Sequence, residues 1–211
     1  MYKEIIATGI DGFLIKHEAF IEPHKTWFDR VIRLTGDKSL AQWKGRKDFF
    51  LGIDKAMKKI MPYTKEEQRL GKARKWYAEE IIAYLKEHPE AVYKDVENML
   101  RKLKIRYALA LITPSLQEYM PAILEAAGLS QVFDVIFVSK GNLPEEFTYK
   151  YREPIIYIAA RNREIFAQAK ELEIPCAYAA WDNFNREIAD FVGNNAKSPD
   201  ELKFLHQLET Y

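Results

Sequence analysis

Asp11, a carboxylate just past the end of an apolar run, is of a residue type that does acid–base work when held within hydrogen-bond reach of a water molecule. Residues 5–14 read Ile-Ile-Ala-Thr-Gly-Ile-Asp-Gly-Phe-Leu, an apolar run of β character that enters a tight turn. Held within hydrogen-bond reach of a water molecule, Asp11 serves as a general base. Gly9, two residues earlier, has no side chain, so it can neither attack an electrophile nor hold a metal through a carboxylate. Arg161 and Arg163 follow a second apolar run, Ile155–Ala159. If Arg161 points into the crevice at the strand ends, where open α/β sheets bind their ligands, its guanidinium supplies the charge for a metal-free anion site. The alternative leaves both arginines in solvent at a helix N-terminus.

The other reactive residue types lack partners at a useful spacing. His17, His24, His88 and His206 are scattered, none with a second His or a Cys at metal-ligand spacing, and each reads as a surface or cap residue. Ser115 and Ser139 lack the glycine-flanked elbow of a nucleophilic serine. Cys176 lies in Pro-Cys-Ala-Tyr-Ala-Ala, a buried-strand pattern, and reads as a structural thiol. As the single cysteine it excludes an internal disulfide framework and suits a reducing compartment.

The elements that must position these residues are legible from composition and periodicity. With 211 residues, 48% of them apolar, the chain can form one good-sized domain or a core with a smaller insertion. A net charge of +1 points to neither a polyanion nor an anionic membrane. Lys44-Gly45-Arg46-Lys47 and Lys72-Ala73-Arg74-Lys75 read as solvated helix faces, and no nucleic-acid partner is expected. The first apolar run is too short for a signal peptide. No apolar stretch approaches the ~20 residues of a membrane span. The expected location is cytoplasmic. Richness in Lys, Glu, Ile and Tyr with few Gln and Cys follows the bias of thermophilic proteins.

Apolar runs at 4–8, Tyr107–Ile112, Val135–Val138, Ile155–Ala159 and Cys176–Ala180 predict strands, and amphipathic stretches at 115–127, 162–172 and 183–192 predict helices between them. That alternation predicts βαβ units and a parallel sheet buried on both faces. Gly128 reads as a helix C-terminal cap, and Pro154 and Pro175 each precede a strand. The stretch 15–90 is helical throughout, and an insertion of about 70 residues must pack on itself. Its aromatics, Trp27, Phe28, Trp43, Phe49, Phe50 and Trp76, read as core. Ser198-Pro199-Asp200-Glu201 reads as the start of a terminal helix.

The order of these segments resembles the haloacid dehalogenase-like (HAD) hydrolases. Gly9-Ile10-Asp11-Gly12-Phe13-Leu14 resembles their opening motif, Asp-x-Asp-Gly-Thr-Leu. Asp95–Leu103 with Ala110-Leu111-Ile112-Thr113-Pro114-Ser115 resembles the helix, strand and Thr/Ser-ended second motif. Gly128-Leu129 with Phe133-Asp134-Val135-Ile136 is a familiar sequel, and Ile158–Ile165 leading to Pro175 parallels the last motif, Gly-Asp-x-x-x-Asp. Trp181-Asp182-Asn183-Phe184-Asn185-Arg186 faintly echoes a segment of the dehalogenase branch. The resemblance implies an α/β fold: a Rossmann-like three-layer parallel-sheet core, residues 1–14 and 91–211, with an inserted all-helical cap, residues 15–90.

Carried over position by position, the resemblance puts the family's nucleophile at Gly9 and its acid/base residue at Asp11. It puts the phosphate-binding hydroxyl at Thr113 and the metal-binding pair at Ala160 and Glu164. The phosphate-binding lysine falls on Lys140, with Lys150 as second choice. Two carboxylates are therefore missing from a set that needs them, which implies a pseudoenzyme. Mg²⁺ is expected only if hydrolase activity remains; otherwise no cofactor is expected. Thr113, Lys140 and Arg161 then form a site for a small phosphorylated or anionic ligand. Two rival expectations stand beside this one. One is a divergent phosphatase or dehalogenase-like hydrolase with Asp11 as general base; the other is a scaffold that docks a protein partner, with Phe13 plugging the crevice.

Overall fold

The computed structural model describes residues 4–46, 48–93, 96–114, 116, 118–160, 163–179 and 200–202. Six strands form one sheet: β1 (Ile5–Thr8), β2 (Ala108–Thr113), β3 (Val135–Val138), β4 (Ile155–Ala160), β5 (Cys176–Ala179) and β6 (Asp200–Leu202). Their order is β3-β2-β1-β4-β5-β6, and every pairing is parallel. Helices fill the crossovers: α4 (Val96–Arg106) precedes β2, α5 (Met120–Ala126) joins β2 to β3, α6 (Leu143–Tyr151) joins β3 to β4, and α7 (Arg163–Glu171) joins β4 to β5.

Because side chains alternate along a strand, Ile5, Ala7, Ala110 and Ile112 face one way. They pack with Leu143 and Phe147 of α6 and Ile165, Phe166 and Ala169 of α7. Ile6, Thr8, Leu109 and Leu111 face the other way and are buried too. Both faces of the sheet are thus covered, as parallel sheets require and as the alternation of apolar runs and helices predicts, and the core is the Rossmann-like α/β fold that the resemblance implies. Gly128, at φ +71°, closes α5 as expected: its N–H bonds to Glu125 O at 3.0 Å and the Leu129 N–H to Leu124 O at 2.7 Å.

Two local expectations change. The helix expected over 115–127 begins only at Met120, because Leu116 adopts a left-handed conformation, φ +62°, and Pro121 favours a first-turn position. Residues 200–202, expected to open a helix, instead form β6 beside β5: sheet-edge backbone groups outbid local helix propensity. The helix expected over 183–192 lies outside the described residues.

Residue contacts divide the chain into two compact units, Met1–His17 with Glu90–Tyr211, and Glu18–Pro89. Ile15 and Lys16 side with the first unit, since Ile15 bridges Val92 and the Lys16 N–H bonds to Ala91 O at 2.8 Å. The second unit is helical among its described residues: α1 (Glu18–Thr35), a 3-10 turn (Lys38–Trp43), α2 (Phe50–Ile60) and α3 (Glu66–Glu87). Trp27, Phe28, Val31, Leu40, Met57 and Trp76 make its core, with Trp43 and Phe49 packed against it. Trp27 Nε1 donates to Ala73 O at 3.2 Å, which ties α1 to α3. Phe50, expected in this core, is 60% exposed.

Within that unit His24 departs from the surface position expected of it. It is 3% exposed, with its ring centroid 3.7 Å from that of Phe49 and 5.1 Å from that of Phe28. Its Nε2 meets no hydrogen-bond partner among the described residues. Burial disfavours the charged ring and lowers its pKa from 6.5 to about 4.

Candidate functional site

The C-terminal ends of β1, β2 and β4 bring most of the sequence-selected residues to one end of the sheet. Thr8 pairs with Leu111 on one side and with Ala159 on the other. Gly9 follows directly on the end of β1, and Ala160 is the last residue of β4, one beyond the paired Ala159. Thr113 ends β2, two residues beyond Leu111. The two positions that lack a carboxylate therefore each lie one residue past the paired Thr8 and Ala159. Gly9 is buried and is not among the residues with positive φ, so its backbone conformation is open to any residue type.

The loop that carries Asp11 closes tightly on itself. The N–H groups of Phe13, Leu14 and Ile15 converge on Ile10 O at 3.3, 3.0 and 3.1 Å. Gly12 permits the turn by adopting φ +68°, and its N–H donates to Ile15 O at 2.7 Å. Phe13, Leu14 and Ile15 are fully buried. The next residues are pinned to a neighbouring segment through Lys16 with Ala91 and Leu14 with the Tyr93 N–H. The loop is thus a rigid platform, and it ends at His17.

On this platform His17 Nδ1 lies 2.7 Å from Asp11 Oδ1. The imidazole side chain is 19% exposed and the carboxylate 41%. Nothing in the spacing of Asp11 and His17 announces the pair, because it depends on the turn that closes on Ile10. The expectation that His17 is a surface or cap residue gives way to a half-buried residue in contact with Asp11.

Thr113 is 5% exposed, and its carbonyl accepts from the Ser139 N–H at 3.3 Å. Lys140 comes next after Ser139, exposed, at the same end of the sheet as Thr113. Lys150 sits instead in the last turn of α6, which leads back to the start of β4, with its ammonium 5.5 Å from the Phe137 ring centroid and 5.2 Å from that of Tyr151. Glu164 is in the first turn of α7, immediately after β4, and exposed. Arg161 lies outside the described residues. Thr8, buried beside Gly9, leaves its Oγ1 without a hydrogen-bond partner among the described residues. Cys176 opens β5 and packs in the core, and His88 stacks on Tyr84 at the end of α3. His206 lies outside the described residues.

A parallel sheet in this order, with a loop after β1 holding Asp11 at the strand ends and a helical unit following that loop, defines a Rossmann-like α/β fold. The family of haloacid dehalogenase-like hydrolases matches residues 14–145, more than half the chain, and the chain belongs to it. No curated protein sequence matches. Solved structures similar in fold include the HAD phosphatase from Thermococcus onnurineus (19% identity, TM-score 0.62, 98% of this chain and 96% of that one). A haloacid dehalogenase-like hydrolase from Streptococcus pneumoniae is similar across 99% of this chain and 98% of its own (14% identity, TM-score 0.61). The HAD-hydrolase-type YfnB from Bacillus subtilis, solved bound to magnesium, covers 100% of this chain and 98% of its own (12% identity, TM-score 0.62). No helix among the described residues is long and apolar enough to cross a membrane.

Proposed function

We propose that this chain is a HAD-like protein in which Mg²⁺-dependent aspartyl-phosphate chemistry is lost or severely impaired, and that it binds a small phosphorylated or carboxylated anion at the strand ends. The observation that carries this reading is that Gly9 and Ala160 each follow directly on Thr8 and Ala159, which pair at the C-terminal ends of β1 and β4. By resemblance these are the nucleophile position and a metal-ligand position. Covalent catalysis needs a nucleophile, and removing one member of a cooperating catalytic set costs several orders of magnitude in rate. Mg²⁺ rests on one or two carboxylates together with waters and substrate oxygens. Glu164 is what remains of the family pair, and Asp11 spends an oxygen on His17. Those donors do not fit a tight magnesium site. Thr113, Lys140 and Arg161 are the side chains we assign to the anion.

Turnover on a broad phosphometabolite panel with Mg²⁺ tests the first half of this reading. Robust metal-dependent activity abolished by Asp11→Ala overturns it. Calorimetric titration with inorganic phosphate tests the second half: binding weakened by Thr113→Val and by Lys140→Ala supports the anion site, and no binding overturns it. A second reading, a divergent hydrolase acting by direct attack of water, is favoured by the contact between Asp11 and His17, because it supplies proton transfer without a nucleophile on the protein.

A further inference from the structure

We infer that two copies of this chain pair through β3, edge to edge and antiparallel across a two-fold axis at Ile136, to form a homodimer. β3 closes one side of the sheet, and among the described residues only β2 pairs with it. No part of this contact draws on the residues assigned to the anion.

The two edges of the sheet differ in what they expose. β6 reads Asp-Glu-Leu, and its two carboxylates blunt it against a further strand. β3 reads Val-Ile-Phe-Val, without charge or proline, and its register against β2 runs unbroken from Val135 to Val138. An edge of that composition is a template for another strand. The Asp134 N–H bonds to Leu109 O at 2.8 Å. Alternate residues from 134 therefore turn their backbone groups toward β2, and Val135 and Phe137 turn theirs to the open edge.

A two-fold axis at Ile136 sets Val135 opposite Phe137 of the second copy, and Phe137 opposite its Val135. Each pair exchanges its N–H and C=O groups, so every outward backbone group of β3 finds a partner. Asp134 then faces Val138 of the second copy, and no like charges meet. Pairing β3 with β6 of another copy brings carboxylates to the seam and leaves an edge open at each end, whereas the two-fold contact is closed.

The side chains favour the same pairing. Val135 and Phe137 pack with Leu143 and Phe147 of α6, so Ile136 lies on the opposite face. There it lines a groove with Pro121, Ala122 and Leu124 of α5 and with Phe133. Across the axis the two Ile136 side chains stand side by side, each over the groove of the other copy. The groove is held in advance. Gln131, at φ +61°, gives its carbonyl to Lys104 Nζ at 3.0 Å, and Lys104 also lies 3.0 Å from Asp134 Oδ1. Asp134 Oδ2 accepts from the Leu109 N–H at 2.9 Å. A groove so fixed loses little freedom on pairing. A short strand alone buries too little for a stable dimer, and the exposed Pro121 and Ala122 beside it enlarge the contact.

Sedimentation velocity on the full chain over a range of protein concentrations tests this. The expected result is a monomer–dimer equilibrium whose dissociation constant rises at least about 10-fold in Ile136→Lys and in Ala122→Arg. Mild oxidation of Ile136→Cys links two copies, because facing residues of a non-hydrogen-bonded pair are close enough for a disulfide. Tyr149→Cys, exposed on α6, does not link at the same concentration. If Ile136→Lys fails to fold, Ala122→Arg, at an exposed position, decides in its place. A dimer that Ala122→Arg leaves intact, or that Ile136→Cys does not link, has its contact elsewhere and overturns the inference. A chain monomeric at every concentration, its edge open to a peptide of another protein or to nothing, overturns it too.

Discussion

His17 and His24 are seven residues apart, yet one ends the platform loop of the sheet unit and the other is sunk in the helical unit. His17 shares a hydrogen bond with a carboxylate at the strand ends. His24 is sealed among Phe28, Phe49 and Tyr77, with Nε2 unpartnered among the described residues and its charged form disfavoured. The contrast shows how one side-chain type is assigned to chemistry or to packing. A turn that aims backbone N–H groups at one carbonyl can hold two polar groups together, whereas an aromatic core removes water and offers nothing in return. The sheet unit thus pairs its histidine with a carboxylate, and the helical unit uses its histidine as a ring.

Rebuilding the strand-end site breaks the comparison most severely. Gly9→Asp combined with Ala160→Asp is expected to raise Mg²⁺-dependent phosphatase turnover at least about 100-fold over the parent chain. Gly9→Asp alone, still short of a metal ligand, is expected to do far less. Steady-state kinetics with and without EDTA decides this, and equal rates for the double variant and the parent would show that the site was lost for other reasons.

In the helical unit the largest expected effect is on stability. Trp27→Ala removes a ring that is 1% exposed, together with the hydrogen bond its Nε1 donates to Ala73 O. The expected cost is about 3–5 kcal/mol, read from the urea midpoint; a cost under about 1 kcal/mol means that the helical core repacks around the gap.

The next effect is pH-dependent and belongs to His24. Its native pKa, about 4, lies below the unfolded value of 6.5, so between them the unfolded chain binds more protons than the native one. Stability is complete above pH 6.5 and declines as pH falls toward 4, by about 3 kcal/mol in all. His24→Leu is expected to flatten that slope in chemical denaturation curves recorded across this window, and an unchanged slope would assign it to other groups.

The smallest effect returns to the strand ends. Thr8→Val replaces a buried hydroxyl that has no partner among the described residues by a methyl group of the same shape, and it is expected to leave stability unchanged or raise it by about 1 kcal/mol. A loss of more than that in the thermal midpoint would reveal a bond made by Thr8 Oγ1.

The legibility of this fold follows from which signals are local. The apolar runs that became β1 to β5 are short, flanked by turn residues and separated by helix-length segments, so burial on both faces of a sheet is written into their composition. Gly128 was readable as a cap because only glycine takes that backbone conformation without strain. The start of α5 was less so: the amphipathic pattern reaches back to Leu116, and the better marker, Pro121, sits inside it. β6 is not legible locally, because Ser198–Glu201 carry helix-start chemistry and only the neighbouring strand supplies what residues 200–202 pair with.

By itself the sequence determined the α/β alternation, the helical insertion and the absence of side chains able to act as nucleophile or metal ligand at Gly9 and Ala160. Residue type alone establishes that absence, since glycine and alanine carry no carboxylate in any conformation. Tertiary structure decided what depends on pairing at a distance. It paired Thr8 with Ala159 just before Gly9 and Ala160, placed Lys140 at the strand ends and Lys150 in the last turn of α6, and gave His17 a carboxylate while leaving His24 among rings. Those outcomes depend on strand register, on a turn closing on Ile10 and on which surfaces exclude water, and none of these is a property of a residue or its neighbours in sequence.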